Sequence, residues 1–177
     1  MHLLPFLALL PLALSQTAPA PRLVILTTAV NAKFAIEPKS LPAKAGVQLV
    51  VQPLSATKAA QHWALLTTNS TTTPTKTTTR IQLANTTLCI DAGAKSNWKD
   101  MARVSLAECA DTADGQRWTV MADGRVAVEG SAAPQSCIDL EYMRATAGNP
   151  VGLYTCAGLG GTGAADKGIV WGFVDVV

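Results

Sequence analysis

Residues that could carry out catalysis are few in this sequence. Its two histidines are His2, in an apolar leading segment, and His62, within Gln61-His62-Trp63. We expect His62 to support that turn rather than to act as a base. No histidines and cysteines cluster at the spacing of metal ligands, and no carboxylate stands in an apolar segment that would raise its pKa. The sequence therefore predicts no enzyme active site, no metal site and no cofactor.

The cysteines stand in a repeated pattern. Leu88-Cys89-Ile90-Asp91 recurs as Ser136-Cys137-Ile138-Asp139. In each copy a second cysteine follows, Cys109 after 20 residues and Cys156 after 19. Such internal repetition is typical of folds that are built from several copies of one structural unit.

A third, altered copy precedes these two. Shifting the middle copy back by 55 positions places Gln116-Arg117-Trp118 on Gln61-His62-Trp63. The same shift places Cys89 on Phe34 and Cys109 on Leu54. Both cysteine positions are then apolar, so no thiol is left without a partner. The last copy closes with Trp171, so each of the three copies ends on a tryptophan.

The periodicity predicts strands. Before the second cysteine position, two apolar residues alternate with polar or small residues in every copy, and these pairs are Leu49/Val51, Val104/Leu106 and Val151/Leu153. Alternation of period two is typical of half-buried strands. Residues 120–128 predict a hairpin that turns at Asp123-Gly124. No amphipathic helix of useful length is evident, so we expect an all-β domain.

These motifs resemble the ricin B-type lectins. That family has three units, each with Cys-x-Asp, a second cysteine about twenty residues later and a closing Gln-x-Trp, and the resemblance covers about residues 23–173. It implies a β-trefoil of three repeats with pseudo-threefold symmetry, in a domain of residues 23–177. The repeats would span about 23–63, 64–118 and 119–173. It also implies that the closing tryptophans pack into the core.

The resemblance further implies the disulfides and the place of a sugar site. In this family the two cysteines of one unit pair, which implies Cys89–Cys109 and Cys137–Cys156. The aspartate of Cys-x-Asp binds sugar hydroxyls, and an aromatic residue two positions before the second cysteine stacks on the sugar ring. A glutamine two positions before that aromatic residue, and an asparagine just before Gln-x-Trp, complete the family's pattern.

The first two units depart from this pattern. The first has Ile36 at the aspartate position and Gln52 at the aromatic position, so we expect it to bind no sugar. The second keeps Asp91, but Ala107 replaces the aromatic residue. We therefore expect Asp91 to bond backbone amides of its own loop, although Trp98 is an alternative stacking platform.

The third unit keeps both essential residues, Asp139 and Tyr154. Gly152 and Gly168 replace the glutamine and the asparagine, and Asn149, Glu141 or Tyr142 could supply polar contacts instead. Tyr154 should point outward, because Val151 and Leu153 alternate with it toward the core. The third unit is thus the best candidate for a glycan site, and Asn149 and Asp91 are further candidate contacts.

The amino-terminal residues predict export. The segment Leu3–Leu14 is apolar and uncharged. Its length is that of a signal-peptide core and is too short to span a membrane. We expect residues 1–15 to be removed before Gln16, or cleavage before Pro19, with a short linker up to residue 22. A buried N-terminal helix is the alternative. Four cysteines in an exported chain predict two disulfides.

Two insertions and two sequons complete the pattern. Residues 67–79 are rich in threonine and are expected to form an exposed, O-glycosylated loop, and residues 158–168 are rich in glycine. Asn69 and Asn85 each begin an N-glycosylation sequon, and we expect both to carry glycan.

Two functions remain open from sequence alone. The first is a secreted lectin-like module with one or two weak glycan sites, for which only the resemblance favours galactose-type sugars. The second is a trefoil that binds no sugar and acts through a protein partner, as a protease inhibitor or a secreted effector. Nucleic acid is not an expected partner, because the net charge of +2 is small and dispersed. No membrane span is expected in the mature chain.

Overall fold

The computed structural model describes residues 20–67, 76–156 and 166–176. The predicted signal peptide, the sequon at Asn69, most of the threonine-rich segment and most of the glycine-rich segment lie outside the described residues. Expectations for those parts of the chain stay predictions. In the part that the structure describes, no helix is long and apolar enough to cross a membrane.

The described residues form twelve strands and five short 3-10 turns. The strands are β1 (Arg22–Thr28), β2 (Phe34–Pro38), β3 (Leu49–Pro53), β4 (Trp63–Thr67), β5 (Lys76–Leu83), β6 (Leu88–Asp91), β7 (Ser105–Glu108), β8 (Trp118–Met121), β9 (Val126–Val128), β10 (Ser136–Leu140), β11 (Val151–Thr155) and β12 (Trp171–Asp175). The turns are Ala59–Gln61, Lys95–Asn97, Asp114–Gln116, Glu141–Met143 and Lys167–Ile169. The all-β prediction is confirmed.

The strands form a β-trefoil. Six of them make a ring in the order β1-β4-β5-β8-β9-β12, in which β12 pairs with β1 and a single bridge from Arg125 to Val170 joins the β9 and β12 segments. The hairpins β2–β3, β6–β7 and β10–β11 complete the three units. Isolated bridges, Gln48 to Ser105, Val50 to Pro150 and Arg103 to Gly152, join each hairpin to the next. Each unit thus contributes four strands.

Three tryptophans mark equivalent positions in the units. Trp63, Trp118 and Trp171 are buried in one apolar core, as predicted. Each begins the fourth strand of its unit and donates its indole N–H to the carbonyl of an isoleucine in the second strand. The distances are 3.2 Å to Ile36, 3.0 Å to Ile90 and 3.0 Å to Ile138. A structural unit therefore ends a few residues after its tryptophan.

This equivalence corrects the alignment of the first unit. Ile36 corresponds to Ile90 and Ile138, so the residue at the aspartate position is Glu37, and the prediction that Ile36 stands there is wrong. Likewise Ala35, not Phe34, occupies the position of Cys89. The loop between the second and third strands is one residue shorter in the first unit than in the second, so one constant shift cannot align both sides of it.

The disulfides pair within units, as the resemblance implied. Cys89 is bonded to Cys109 and Cys137 to Cys156, and no free cysteine exists among the described residues. Each bridge ties the second strand of a unit to the residue after its third strand. The predicted hairpin also forms, because β8 pairs with β9 across a turn in which Gly124 has a φ of 89°.

Candidate functional site

A carboxylate lies near the end of the second strand in every unit, at the positions of Glu37, Asp91 and Asp139. The three have different partners, and the difference decides which of them can meet a ligand. In the first unit the buried Glu37 carboxylate accepts from Lys58 Nζ at 2.7 Å and from Gln61 Nε2 at 2.9 Å. Both of its oxygens are therefore already bonded within the protein.

The second unit satisfies its carboxylate in another way. Asp91 Oδ1 accepts from the Gly93 N–H at 2.5 Å, and Oδ2 accepts from Gln116 Nε2 at 2.9 Å. Asp91 thus bonds its own loop, as expected for a residue with a structural role. Trp98 donates its indole N–H to the Gly93 carbonyl at 3.0 Å and packs against the core. Trp98 lines a shallow pocket with Lys95 and Pro134 that does not include Asp91.

In the third unit, no described residue bonds the carboxylate. Ile169 occupies the position of Gln61 and Gln116, so the amide that bonds the carboxylate in the other units is missing. Asp139 is only 5% exposed, and the described residues donate no hydrogen bond to it. Gly168 leaves space for it, because a Cβ atom there would lie 2.6 Å from Asp139 Oδ1.

Asp139 lines a pocket of about 270 Å³. The other lining residues are Met101, Tyr142, Met143, Tyr154 and Asp166. Tyr154 is 39% exposed while Leu153 beside it is fully buried, so Tyr154 faces outward as the strand alternation predicted. The structure therefore brings Asp139 and Tyr154, the two residues that the family pattern singles out, into one concave site.

The carboxyl group of Asp139 has a raised pKa. Burial raises the pKa of Asp139 to about 7, and the negative charges of Asp166, Glu141 and Asp100 add to this effect. The sequence-based expectation that no carboxylate has a raised pKa is therefore wrong. Glu141 forms an ion pair with Arg103. Asp100 accepts hydrogen bonds from the backbone N–H and the hydroxyl of Thr155.

Strained backbone surrounds the pocket. Four described residues other than glycine have a positive φ, and three of them, Met101 (67°), Tyr142 (55°) and Met143 (52°), line the pocket. Residues with side chains adopt this conformation at a cost of roughly 1–2 kcal/mol each, and such residues cluster at functional sites. The loop that carries Met101 belongs to the second unit, and the Met101 N–H donates to the Leu153 carbonyl at 2.8 Å.

Of the remaining predicted contacts, Tyr142 lines the pocket, whereas Asn149, Glu141 and Asp91 do not. Asn149 does not line it, because its side-chain amide donates to the Glu141 carbonyl at 2.9 Å and so closes its own loop. Asp91 belongs to another unit. Glu141 is buried and paired with Arg103, whereas Tyr142 is 68% exposed at the rim. Sequence reasoning missed Met101, Met143 and Asp166, since nothing in the repeat pattern marks them.

Comparison with known proteins agrees with this architecture. Residues 77–167 match the model of the Ricin-type beta-trefoil lectin domain. No curated protein sequence matches the chain. A designed 3-fold symmetric protein, ThreeFoil, superposes with a TM-score of 0.69 at 17% identity, over 86% of this chain and 98% of its own.

Two natural lectins have the same fold. The C-half of the earthworm R-type lectin, solved in complex with GalNAc, superposes with a TM-score of 0.62 at 13% identity, over 88% of this chain and 99% of its own. The Rhizoctonia solani agglutinin superposes with a TM-score of 0.59 at 18% identity, over 92% of this chain and 99% of its own. At these identities the superpositions show the fold alone. The family match, however, spans just over half of the sequence. The chain therefore belongs to the ricin-type beta-trefoil lectin family.

Proposed function

We propose that this protein is a secreted carbohydrate-binding module with a single working glycan site, the pocket of the third unit. The observation that carries the proposal is the Asp139 carboxylate, which is buried, has no hydrogen-bond donor among the described residues and faces a pocket beside Tyr154. A buried polar group without a partner is costly, and a ligand that donates hydrogen bonds would remove that cost.

A sugar ring fits the chemistry of this pocket. Tyr154 offers a flat apolar face for one side of a pyranose, and Asp139 can accept bonds from two neighbouring hydroxyls. Tyr142 and the two methionines, Met101 and Met143, form apolar walls around that position. Glu37 and Asp91 are already bonded inside the protein, which favours one site per chain rather than three.

The affinity of the site should be low. Gly152 and Gly168 stand where the family has polar side chains, so two hydrogen bonds to the sugar are lost. Each lost bond weakens binding by roughly 1 kcal/mol. We therefore expect a Kd near the millimolar range, which corresponds to a binding free energy of about −4 kcal/mol. Galactose-type sugars are the first ones to test, and the earthworm lectin solved with GalNAc supports that choice.

Export from the cell is part of the proposal. The apolar segment of residues 3–14 favours it, and two disulfides fit an oxidising compartment. Asn85 is exposed in the turn between β5 and β6, where an N-glycan could be attached. Asn69 is proposed as a second acceptor from its sequon alone.

Titration of the mature protein with galactose, lactose and N-acetylgalactosamine tests the proposed function. Tyr154→Ala and Asp139→Ala should each abolish detectable binding in NMR or calorimetry, and their tryptophan fluorescence should remain native. Asp91→Ala is the matched control, because it removes the equivalent carboxylate of the second unit and should leave binding intact. A folded, correctly bridged protein that binds none of the three sugars would favour the protein-binding alternative instead.

A further inference from the structure

The residue just before the 3-10 turn that precedes each tryptophan differs in charge between the three units. The residue just before each turn is Lys58 in the first unit, Ala113 in the second and Asp166 in the third. In each unit this residue lies close in sequence to the group that faces the unit's carboxylate. Its side chain places a charge beside the carboxylate in the first and third units, and Ala113 places none in the second.

In the first unit this residue neutralises the site. Lys58 Nζ lies 2.7 Å from Glu37 Oε1, and the Glu37 side chain is almost completely buried. An ammonium group therefore fits beside the carboxylate at this place in the fold. Because the ammonium belongs to the chain itself, the first unit needs no ligand to balance its charge.

In the third unit the same position has the opposite charge. Asp166 lines the pocket with Asp139, and its Oδ1 accepts from the Gly168 N–H at 2.8 Å. A Cβ atom at Gly168 would lie 2.6 Å from Asp139 Oδ1 and 3.0 Å from Asp166 Oδ1. Asp139 Oδ1 and Asp166 Oδ1 both lie close to this Cβ position, so the two oxygens are at most about 6 Å apart. One ligand group can therefore reach both.

The neighbouring cations do not compensate these two carboxylates. Arg103 is paired with Glu141, and the Arg144 guanidinium lies over the Tyr142 ring, 5.4 Å from its centroid. Lys167 is exposed to solvent. Among the described residues, no lysine or arginine forms an ion pair with Asp139 or Asp166. The pocket thus presents a buried carboxyl that accepts no hydrogen bond from the described residues, a second carboxylate and two tyrosine rings.

Building on the proposed function, we propose that this pocket selects sugars that carry a protonated amino group over their neutral parents. The ammonium of a hexosamine would take the place that Lys58 takes in the first unit and donate to Asp139 and Asp166. The face of Tyr154 also attracts a cation. Anionic sugars would be repelled by the same two carboxylates.

Competing sugars distinguish this inference from its alternatives. Galactosamine, N-acetylgalactosamine and galactose are titrated against the full mature chain at pH 7 and low salt. We expect galactosamine to bind at least tenfold more tightly than galactose, and galacturonic acid to bind more weakly than galactose. Raising the salt to 0.5 M should reduce the preference for galactosamine, because ions screen partly exposed charges.

Asp166→Asn tests the charge itself. Asparagine keeps an oxygen that can accept from the Gly168 N–H, so the turn should persist, while the negative charge is lost. The ratio of galactosamine affinity to galactose affinity should fall at least fivefold. Asp114→Asn is the matched control, because it removes an exposed carboxylate from the equivalent turn of the second unit and should leave the ratio unchanged.

Several results would overturn the inference. One is an amino sugar that binds no better than galactose to the wild-type protein. Another is a preference that survives Asp166→Asn, or ethanolamine binding as tightly as galactosamine, which would mean that the sugar ring contributes nothing. Galactose binding without any amino preference would leave the proposed function standing, whereas failure of every sugar would overturn both.

Discussion

Asp139→Asn is expected to stabilise the folded domain at pH 8 even though it removes the main polar group of the proposed site. Asparagine has nearly the same shape as aspartate but carries no charge. In the native pocket the Asp139 carboxyl is buried, has no donor among the described residues and lies near the charges of Asp166, Glu141 and Asp100. The ionised form is therefore held in an unfavourable environment.

The pKa of Asp139 sets the size of this effect. A rise from 3.8 to about 7 corresponds to about 4 kcal/mol at 1.36 kcal/mol per pKa unit. The carboxyl faces an open pocket, and solvent screening reduces the interaction with neighbouring charges. We therefore expect the variant to gain about 2 kcal/mol in the free energy of unfolding at pH 8, roughly half of the upper limit.

The sign of the effect depends on pH. Below about pH 3.8 the carboxyl is protonated in both the folded and the unfolded chain, so its raised pKa costs no stability. Between that pH and about 7 the unfolded chain releases the proton and the folded chain retains it, so the wild type loses stability as the pH rises. The advantage of Asp139→Asn should thus be close to zero at pH 3.5 and largest above pH 7.

Urea unfolding with intact disulfides measures this difference. The fluorescence of the buried tryptophans reports unfolding, and the shift of the midpoint at unchanged slope gives the change in stability. Asp91→Asn is the control at the equivalent position, and it should destabilise the protein at pH 8 by about 1–2 kcal/mol because Asp91 accepts two hydrogen bonds. The reasoning is refuted if Asp139→Asn destabilises the protein at pH 8, or if its effect is the same at pH 3.5 and pH 8.

Three further predictions concern the site and the maturation of the chain. N-acetylgalactosamine, which is neutral, should bind at least tenfold more weakly at pH 5 than at pH 8 in NMR titrations, because protonated Asp139 loses acceptor capacity below its pKa of about 7; an affinity independent of pH would contradict a role for its carboxylate. Gly168→Ala should abolish binding to the same sugar, since its Cβ would lie 2.6 Å from Asp139 Oδ1, whereas Gly130→Ala, outside the pocket, should retain it. Intact-mass and peptide analysis of the secreted protein should show that residues 1–15 are absent and that Asn85 carries glycan; a mass equal to that of the bare full-length chain would refute both.

Much of the fold could be predicted because the repeat preserves its buried positions. Strand alternation placed Tyr154 outward, and the family pattern paired the cysteines correctly. The alignment of the first unit failed at Glu37. The loop between the second and third strands is one residue shorter there than in the second unit, and this shifts all positions before the loop. Only packing around the tryptophans reveals the true equivalence, through the indole bond to Ile36.

The pocket itself was harder to predict from sequence. Met101 comes from the second unit, and a pattern confined to one unit cannot identify a wall contributed by another. Asn149 was expected near the sugar, but its amide is bonded to the backbone of its own loop. The raised pKa of Asp139 follows from its burial and from the nearby charge of Asp166, while Ile169 replaces the glutamine that bonds the carboxylate in the other units. Ile169 and Asp166 are both visible in the sequence. Their effect on the Asp139 carboxyl depends on how close the fold brings them to it.

Chemical-shift mapping of the ¹⁵N-labelled mature protein with N-acetylgalactosamine tests the central claim most directly. A single site in the third unit predicts that amide shifts cluster at residues 100–102, 139–143, 152–155 and 166–169. Amides around Glu37 and Asp91 should stay unshifted at the same sugar concentration. Shifts centred on the first or second unit, or no shifts from a natively folded protein, would contradict the account.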